Sequence, residues 1–140
     1  MSGMNETPQP PTILIVEDQD VMRAMLREFV QSAFPGCAIL DAANGERARQ
    51  LCTEHRPRLV LMDVSLPDAN GIELTASIKA AAPAIAVIVV SYLTGRIYRE
   101  QALAAGANAF VSKDRLLSDL IPAAAAALGI ASIAHAPPQG

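Results

Sequence analysis

What most limits the folds open to this chain is a rhythm. Short aliphatic runs alternate with segments whose apolar residues recur at helical spacing. The runs are Thr12-Ile13-Leu14-Ile15-Val16, Cys37 to Asp41, Arg58-Leu59-Val60-Leu61-Met62, Ile85 to Val90 and Ala109 to Ser112. Apolar runs of this length without alternation suit strands covered on both faces, the condition of a parallel sheet. After the first run, Val21, Met25, Leu26, Phe29 and Val30 recur at helical spacing until Pro35-Gly36 ends the helix. Asn44 can cap a helix running to about His55, and the loop Pro67 to Gly71 leads into another ending near Ala82. Two more helices are expected, from about Thr94 to Ala105 and from about Ser118 to Leu128. Pro122 is expected in the first turn of the last one, where a missing N–H matters least. Five strand–helix units in succession predict an open α/β parallel sheet with helices on both faces.

A chain of 140 residues is the size of one domain and can bury a full core without disulfides or a structural metal. Residues 1–11, polar and proline-rich, are expected as a disordered lead-in, 12–130 as the folded domain and 131–140 as a flexible tail or linker. With 51% hydrophobic residues but only 4% aromatic, the core has to be aliphatic. A net charge of −3 offers no basic excess to displace counterions, which excludes direct nucleic-acid binding through the phosphates. No apolar stretch is long enough to cross a bilayer, and the N-terminus lacks the pattern of a signal peptide, so the expected location is the cytoplasm and not a membrane. Cys37 and Cys52 then read as reduced, partly buried thiols, and His55 and His135 as surface residues.

Binding sites of such sheets lie beyond the carboxyl ends of the strands. Four of the five runs end there in polar residues: Glu17-Asp18, Asp63, Ser91 and Lys113. Three acids, a hydroxyl and an ammonium thus converge on one edge. Clustered carboxylates repel one another, and a hard cation such as Mg2+ relieves this by taking their oxygens as ligands. Asp18, Asp63 and the backbone carbonyl of Ser65 are the expected ligands, with Glu17 acting through a water. Such a site suits phosphoryl transfer to Asp63, the carboxylate on the central strand, with Lys113 and the metal neutralising the transferred oxygens and Ser91 donating a hydrogen bond. Other phosphate chemistry fits less well. No glycine-rich loop follows the first strand, Glu17-Asp18-Gln19-Asp20 would repel a flavin phosphate, and Ser65 stands where aspartyl phosphatases carry a second Asp.

These pieces resemble the receiver (phospho-acceptor) domain of bacterial two-component response regulators, over essentially Thr12 to Leu128. The resemblance rests on Ile13-Leu14-Ile15-Val16-Glu17-Asp18, on Leu61-Met62-Asp63-Val64-Ser65-Leu66-Pro67 with Gly71 following, on Val89-Val90-Ser91, and on Gly106-Ala107 through Phe110-Val111-Ser112-Lys113. It implies a flavodoxin-like sheet of order 2-1-3-4-5 with five helices, and Mg2+ held at Glu17 and Asp18. It further implies phosphorylation of Asp63 by a histidine kinase or histidine phosphotransfer protein, Ser91 as the switch hydroxyl, Lys113 on the phosphate and Phe110 as the aromatic that follows Ser91. Such a domain is not an enzyme toward other substrates; it catalyses only its own phosphorylation and dephosphorylation.

The sequence departs from the family pattern in places. Asp114 follows Lys113 where many receivers have Pro, so the usual cis peptide is not expected; the Lys-Asp pair looks like the NarL/FixJ subfamily. Tyr92 replaces a small residue and adds bulk beside the site. Ser65 and Leu93, two residues after Asp63 and Ser91, are best placed to hold a hydrolytic water, and neither is a long amide or acid. Slow loss of the phosphoryl group is the expectation. Arg96, Tyr98 and Arg99 fall on a helix through which receivers contact partners, and the Ala-rich stretch Ala123 to Leu128 allows close packing in a homodimer. A phosphorylation-independent interaction module of the same fold is the alternative; the complete set Glu17, Asp18, Asp63, Ser91 and Lys113 favours the switch.

Overall fold

The computed structural model describes residues 10–132. The lead-in over 1–9, His135 and the tail from 133 onward lie outside the described residues. Strands β1 (Thr12–Val16), β2 (Ala38–Ala42), β3 (Leu59–Asp63), β4 (Ala86–Ser91) and β5 (Ala109–Ser112) alternate with helices α1 (Asp20–Ala33), α2 (Gly45–His55), α3 (Gly71–Ala81), α4 (Arg96–Ala104) and α5 (Leu116–Leu128). All neighbouring strands pair in parallel, in the order β2-β1-β3-β4-β5, as the resemblance implied.

Because side chains alternate along a strand, each aliphatic run supplies both faces of the sheet. Ile13, Ile15, Leu59, Leu61, Ile88, Val90 and Val111 pack toward Leu26, Val30 and Ala33 of α1 and Leu120, Ile121, Ala124 and Leu128 of α5. Leu14, Val16, Val60, Met62, Val87, Val89 and Phe110 pack toward Ala48 and Leu51 of α2, Leu74 and Ile78 of α3, and Ala102 of α4. Full burial of one such aliphatic side chain is worth about 1.5–3 kcal/mol, which explains why strands of four to six residues suffice. Helix starts are fixed locally. Asn44 accepts from the Arg47 amide at 2.8 Å, and Asn70 from the Ile72 and Glu73 amides at 2.8 and 3.2 Å.

The structure corrects the sequence reading in several places. Strand β2 begins at Ala38 because the Cys37 N–H is used in a turn, donating to Phe34 O at 2.9 Å. Helix α4 starts at Arg96, after an extended Gly95. Helix α5 starts at Leu116, directly after a 3-10 turn at Lys113–Arg115, so Pro122 lies in its interior and not in its first turn. Pro122 and Ser118 are both exposed, so water can take the Ser118 carbonyl that a residue with an N–H would have bonded. Val21 and Met25 point out of the core, 84% and 37% exposed; Met22, Leu26, Phe29 and Val30 form the inward stripe of α1. Cys37 and Cys52 are buried free thiols, and burial pushes the Cys52 thiol up to about 11. No peptide bond among the described residues is cis, in keeping with Asp114 after Lys113.

Candidate functional site

The strand order places Asp63, the last residue of β3, between the end of β1 and the ends of β4 and β5. Glu17 continues β1, its amide donating to Ala42 O at 3.0 Å, and its carboxylate is 1% exposed. Both Glu17 oxygens are engaged: Oε2 accepts from the Gln19 amide at 3.0 Å and Oε1 from Lys113 Nζ at 2.7 Å. Asp18 beside it is half-buried and has no hydrogen-bond or ion-pair partner among the described residues. Lys113, one residue beyond β5, reaches back so that its Nζ also lies 3.3 Å from Asp63 Oδ1. The Lys113 ammonium stands 5.3 Å from the centre of the Tyr92 ring, a cation–π contact. Ser91 closes β4 and is 2% exposed; its Oγ accepts from the Leu93 amide at 2.9 Å, which leaves the hydroxyl proton to donate elsewhere.

Asp63, Ser91 and Lys113 line one groove of about 720 Å³, with Asp18, Val21, Met22 and Met25 on one side and Tyr92 and Leu93 on the other, while Glu17 lies buried behind it. The exposed apolar residues of α1 thus form a lip of the site. Phe110 is buried in the opposite layer, in register with Val89, two residues before Ser91.

Charge sets the behaviour of the site. Burial, and then the negative charge of Glu17, push the Asp63 carboxyl up to about 6, against the pull of Lys113 and the Ser65 N–H. Burial works against the charge of Lys113. Its hydrogen bond to Glu17 and the charges of Asp63 and Glu17 outweigh burial and hold the ammonium above its ordinary value. One oxygen from each of Glu17, Asp18 and Asp63 lies within 4.8 Å of the others, so the acidic cluster can hold a metal ion. Three carboxylates facing one ammonium, with oxygen the only donor atom, fit a hard divalent cation.

The structure brings together every residue singled out at the strand ends, and adds two that sequence reasoning missed. Arg23 of α1 donates through Nη1 to the Glu17 carbonyl at 3.0 Å and through Nη2 to Asp20 Oδ1 at 2.7 Å, with Nε 3.8 Å from Asp41 Oδ1. It ties the acidic loop to α1 and to β2. Asp41, a lone carboxylate within β2, was the available signal. Asp68 is the other. The loop after Asp63 is also fixed by Gly71. A Cβ there would come 1.9 Å from the Asp63 carbonyl oxygen, a contact only glycine avoids.

Comparison with known proteins decides the family. The family model of the response regulator receiver domain matches residues 13–125. The chain belongs to that family. The receiver is 37% identical over 117 residues to the transcriptional regulatory protein PdtaR of Mycobacterium tuberculosis, a match covering 81% of this chain and 55% of that protein. It is 32% identical over 106 residues to the polar-differentiation response regulator DivK of Brucella anthropi, covering 74% of this chain and 85% of DivK. A two-component response regulator of the LuxR family from an Aurantimonas species superposes with a TM-score of 0.79 at 30% identity, over 86% of each chain. The chain spans about half the length of the curated relatives it matches first, 55%, 47% and 50% of three of them. No helix among the described residues is long and apolar enough to cross a membrane.

Proposed function

We propose that this receiver takes a phosphoryl group from the phosphohistidine of a histidine kinase or histidine phosphotransfer protein onto a carboxylate oxygen of Asp63. The bond formed is O–P; the N–P bond of the donor breaks and its electron pair returns to the imidazole. The observation that carries this reading is the position of Lys113. Its buried ammonium is held by Glu17 at 2.7 Å and stands 3.3 Å from Asp63 Oδ1 at the end of the central strand. A phosphoryl oxygen arriving at Asp63 meets a positive charge already desolvated and oriented. Above pH 6 the Asp63 carboxylate is mostly ionised and so nucleophilic. The hydroxyl proton of Ser91 is free to bond a second phosphoryl oxygen. Mg2+ held by Asp18, Asp63 and the Ser65 carbonyl, with Glu17 through water, would offset the remaining negative charge of the transferred group.

Acetyl phosphate or a phosphorylated kinase should label Asp63 alone, and only with a divalent cation present. Asp63→Asn should abolish labelling, and Asp18→Asn should mainly raise the cation concentration needed. Label persisting at full stoichiometry in Asp63→Asn would defeat the assignment.

A further inference from the structure

The loop between Asp63 and α3 is a closed unit. Ser65 and Asn70 form an isolated antiparallel bridge, made by Leu66 N donating to Ala69 O at 3.2 Å and Gly71 N donating to Val64 O at 2.7 Å. Those two bonds use the groups of the flanking residues, so the N–H and C=O of Ser65 point away from the bridge. The Ser65 N–H acts on the Asp63 carboxyl and pulls it down. The Ser65 carbonyl has no donor among the described residues. Its direction is therefore set by where this small hairpin sits as a whole.

One side chain fixes that position from outside. Asp68, at the tip of the hairpin, accepts from the Gly45 amide at 2.7 Å through Oδ1 and from the Glu46 amide at 3.0 Å through Oδ2. Those are the first two amides of α2, donors that have no partner inside the helix. The two amides, and behind them the charge of Arg49, hold the Asp68 carboxyl below its ordinary value. The contact is close. A Cβ on Gly45 would lie 2.9 Å from Ala69 Cβ and 3.1 Å from Asp68 Oδ1, so glycine lets the hairpin approach the helix.

We infer that Asp68 is a positioning residue for the divalent-cation site: by clamping the hairpin to the amino end of α2 it fixes the backbone of Ser65, which lines the same groove as Asp18 and Asp63. The inference rests on the proposed site, in which the Ser65 carbonyl is a ligand. Asp68 itself touches neither the cation nor the phosphoryl group. A residue acting one step behind a ligand typically changes metal affinity by about 10- to 100-fold.

Titration with Mg2+, followed by calorimetry, tests this on the full chain without any phosphodonor. Asp68→Ala should weaken binding about tenfold, and hydrogen exchange of the Leu66 and Gly71 amides should quicken in the cation-free protein. Asp68→Asn should fall between, because its amide oxygen can accept one N–H while its NH2 group cannot accept the other. Asn44→Ala removes a different cap from the same helix end and controls for stability. It should lower the melting temperature yet leave Mg2+ affinity within twofold. If Asp68→Ala also stays within twofold while Asp18→Asn weakens binding, the positioning role is wrong and the site stands. If Asp18→Asn has no effect either, the site reading fails and this inference falls with it.

Discussion

Asp63 carries the clearest conflict between folding and chemistry in the molecule. Its carboxyl is pushed up from 3.8 to about 6 by burial and by Glu17. A carboxyl whose folded value is raised binds protons better folded than unfolded, so folding loses stability as the pH rises from about 4 to about 6 and gains nothing back above that. Without divalent cations, Asp63→Asn should therefore stabilise the protein by about 1–3 kcal/mol at pH 7.5 and by almost nothing below pH 4. Urea unfolding at both pH values in chelator checks this; equal stabilities at pH 7.5 would show that Lys113 cancels the burial penalty. The residues flanking the site bear on the fate of the phosphoryl group. Ser65 is exposed with a short side chain, and Leu93, 40% exposed, cannot hydrogen-bond a water. Replacing them with longer polar groups, Ser65→Asn with Leu93→Glu, should speed phosphate loss about 10- to 100-fold, equal to roughly 1.4–2.7 kcal/mol of barrier. Loss within seconds from the unmodified protein would remove the premise. Glu17, Asp18, Asp63, Ser91 and Lys113 were legible in the sequence because each follows a recognisable apolar run. Arg23 and Asp68 were not, since their partners at Asp41 and Gly45 lie far along the chain and only the folded topology brings them near.

At the scale of elements, the strands were the most legible part. A strand buried on both faces has to be nearly all aliphatic, and β3 and β4 are buried at every position. Helix faces were less so. Periodicity alone gave Val21 and Met25 the same standing as Leu26 and Val30, and only the sheet decides which side of α1 turns inward. Proline misled for a related reason. Pro122 is tolerated in the interior of α5 because it sits on the exposed face, a condition invisible without the partner surface. Pro122→Ala should restore one helical hydrogen bond without disturbing packing and stabilise the protein by roughly 1–3 kcal/mol. Thermal unfolding that fails to rise would mean that Pro122 itself is used in packing α5. In contrast, Gly71→Ala forces a methyl against the Asp63 carbonyl, and should destabilise by about 1–3 kcal/mol or more and weaken Mg2+ binding through the displaced loop.

Across the whole molecule, the site draws on four of the five strands, but those strands are not equally anchored. β1, β3 and β4 are interior strands backed by helices on both faces, whereas β5 is an edge strand. Helix α4, after β4, fully buries only Ala102 and leaves Ile97 and Leu103 60% and 47% exposed. An element with few buried contacts is the one that can shift at small free-energy cost. In the proposed switch, Ser91 would couple the site to it. Its hydroxyl oxygen holds the Leu93 amide, and drawing that hydroxyl toward a phosphoryl oxygen on Asp63 would strain or break this bond and so loosen the segment leading into α4. Phe110, buried on the same side as Ala102, would be expected to follow in that switch. A partner, or a second copy of the chain, senses this only through a difference in affinity for the two arrangements of α4 and β5. With beryllium fluoride as a phosphoryl mimic, hydrogen exchange should change between residues 91 and 112 and stay constant in β1 and β3. Sedimentation under the same conditions reports whether a second copy binds the altered face. Ser91→Ala should still accept label on Asp63, more slowly, yet show no exchange change in α4. If the mimic leaves exchange across 91–112 untouched in the unmodified protein, α4 is not the element that moves, and any output has to be read from the charge at Asp63 itself.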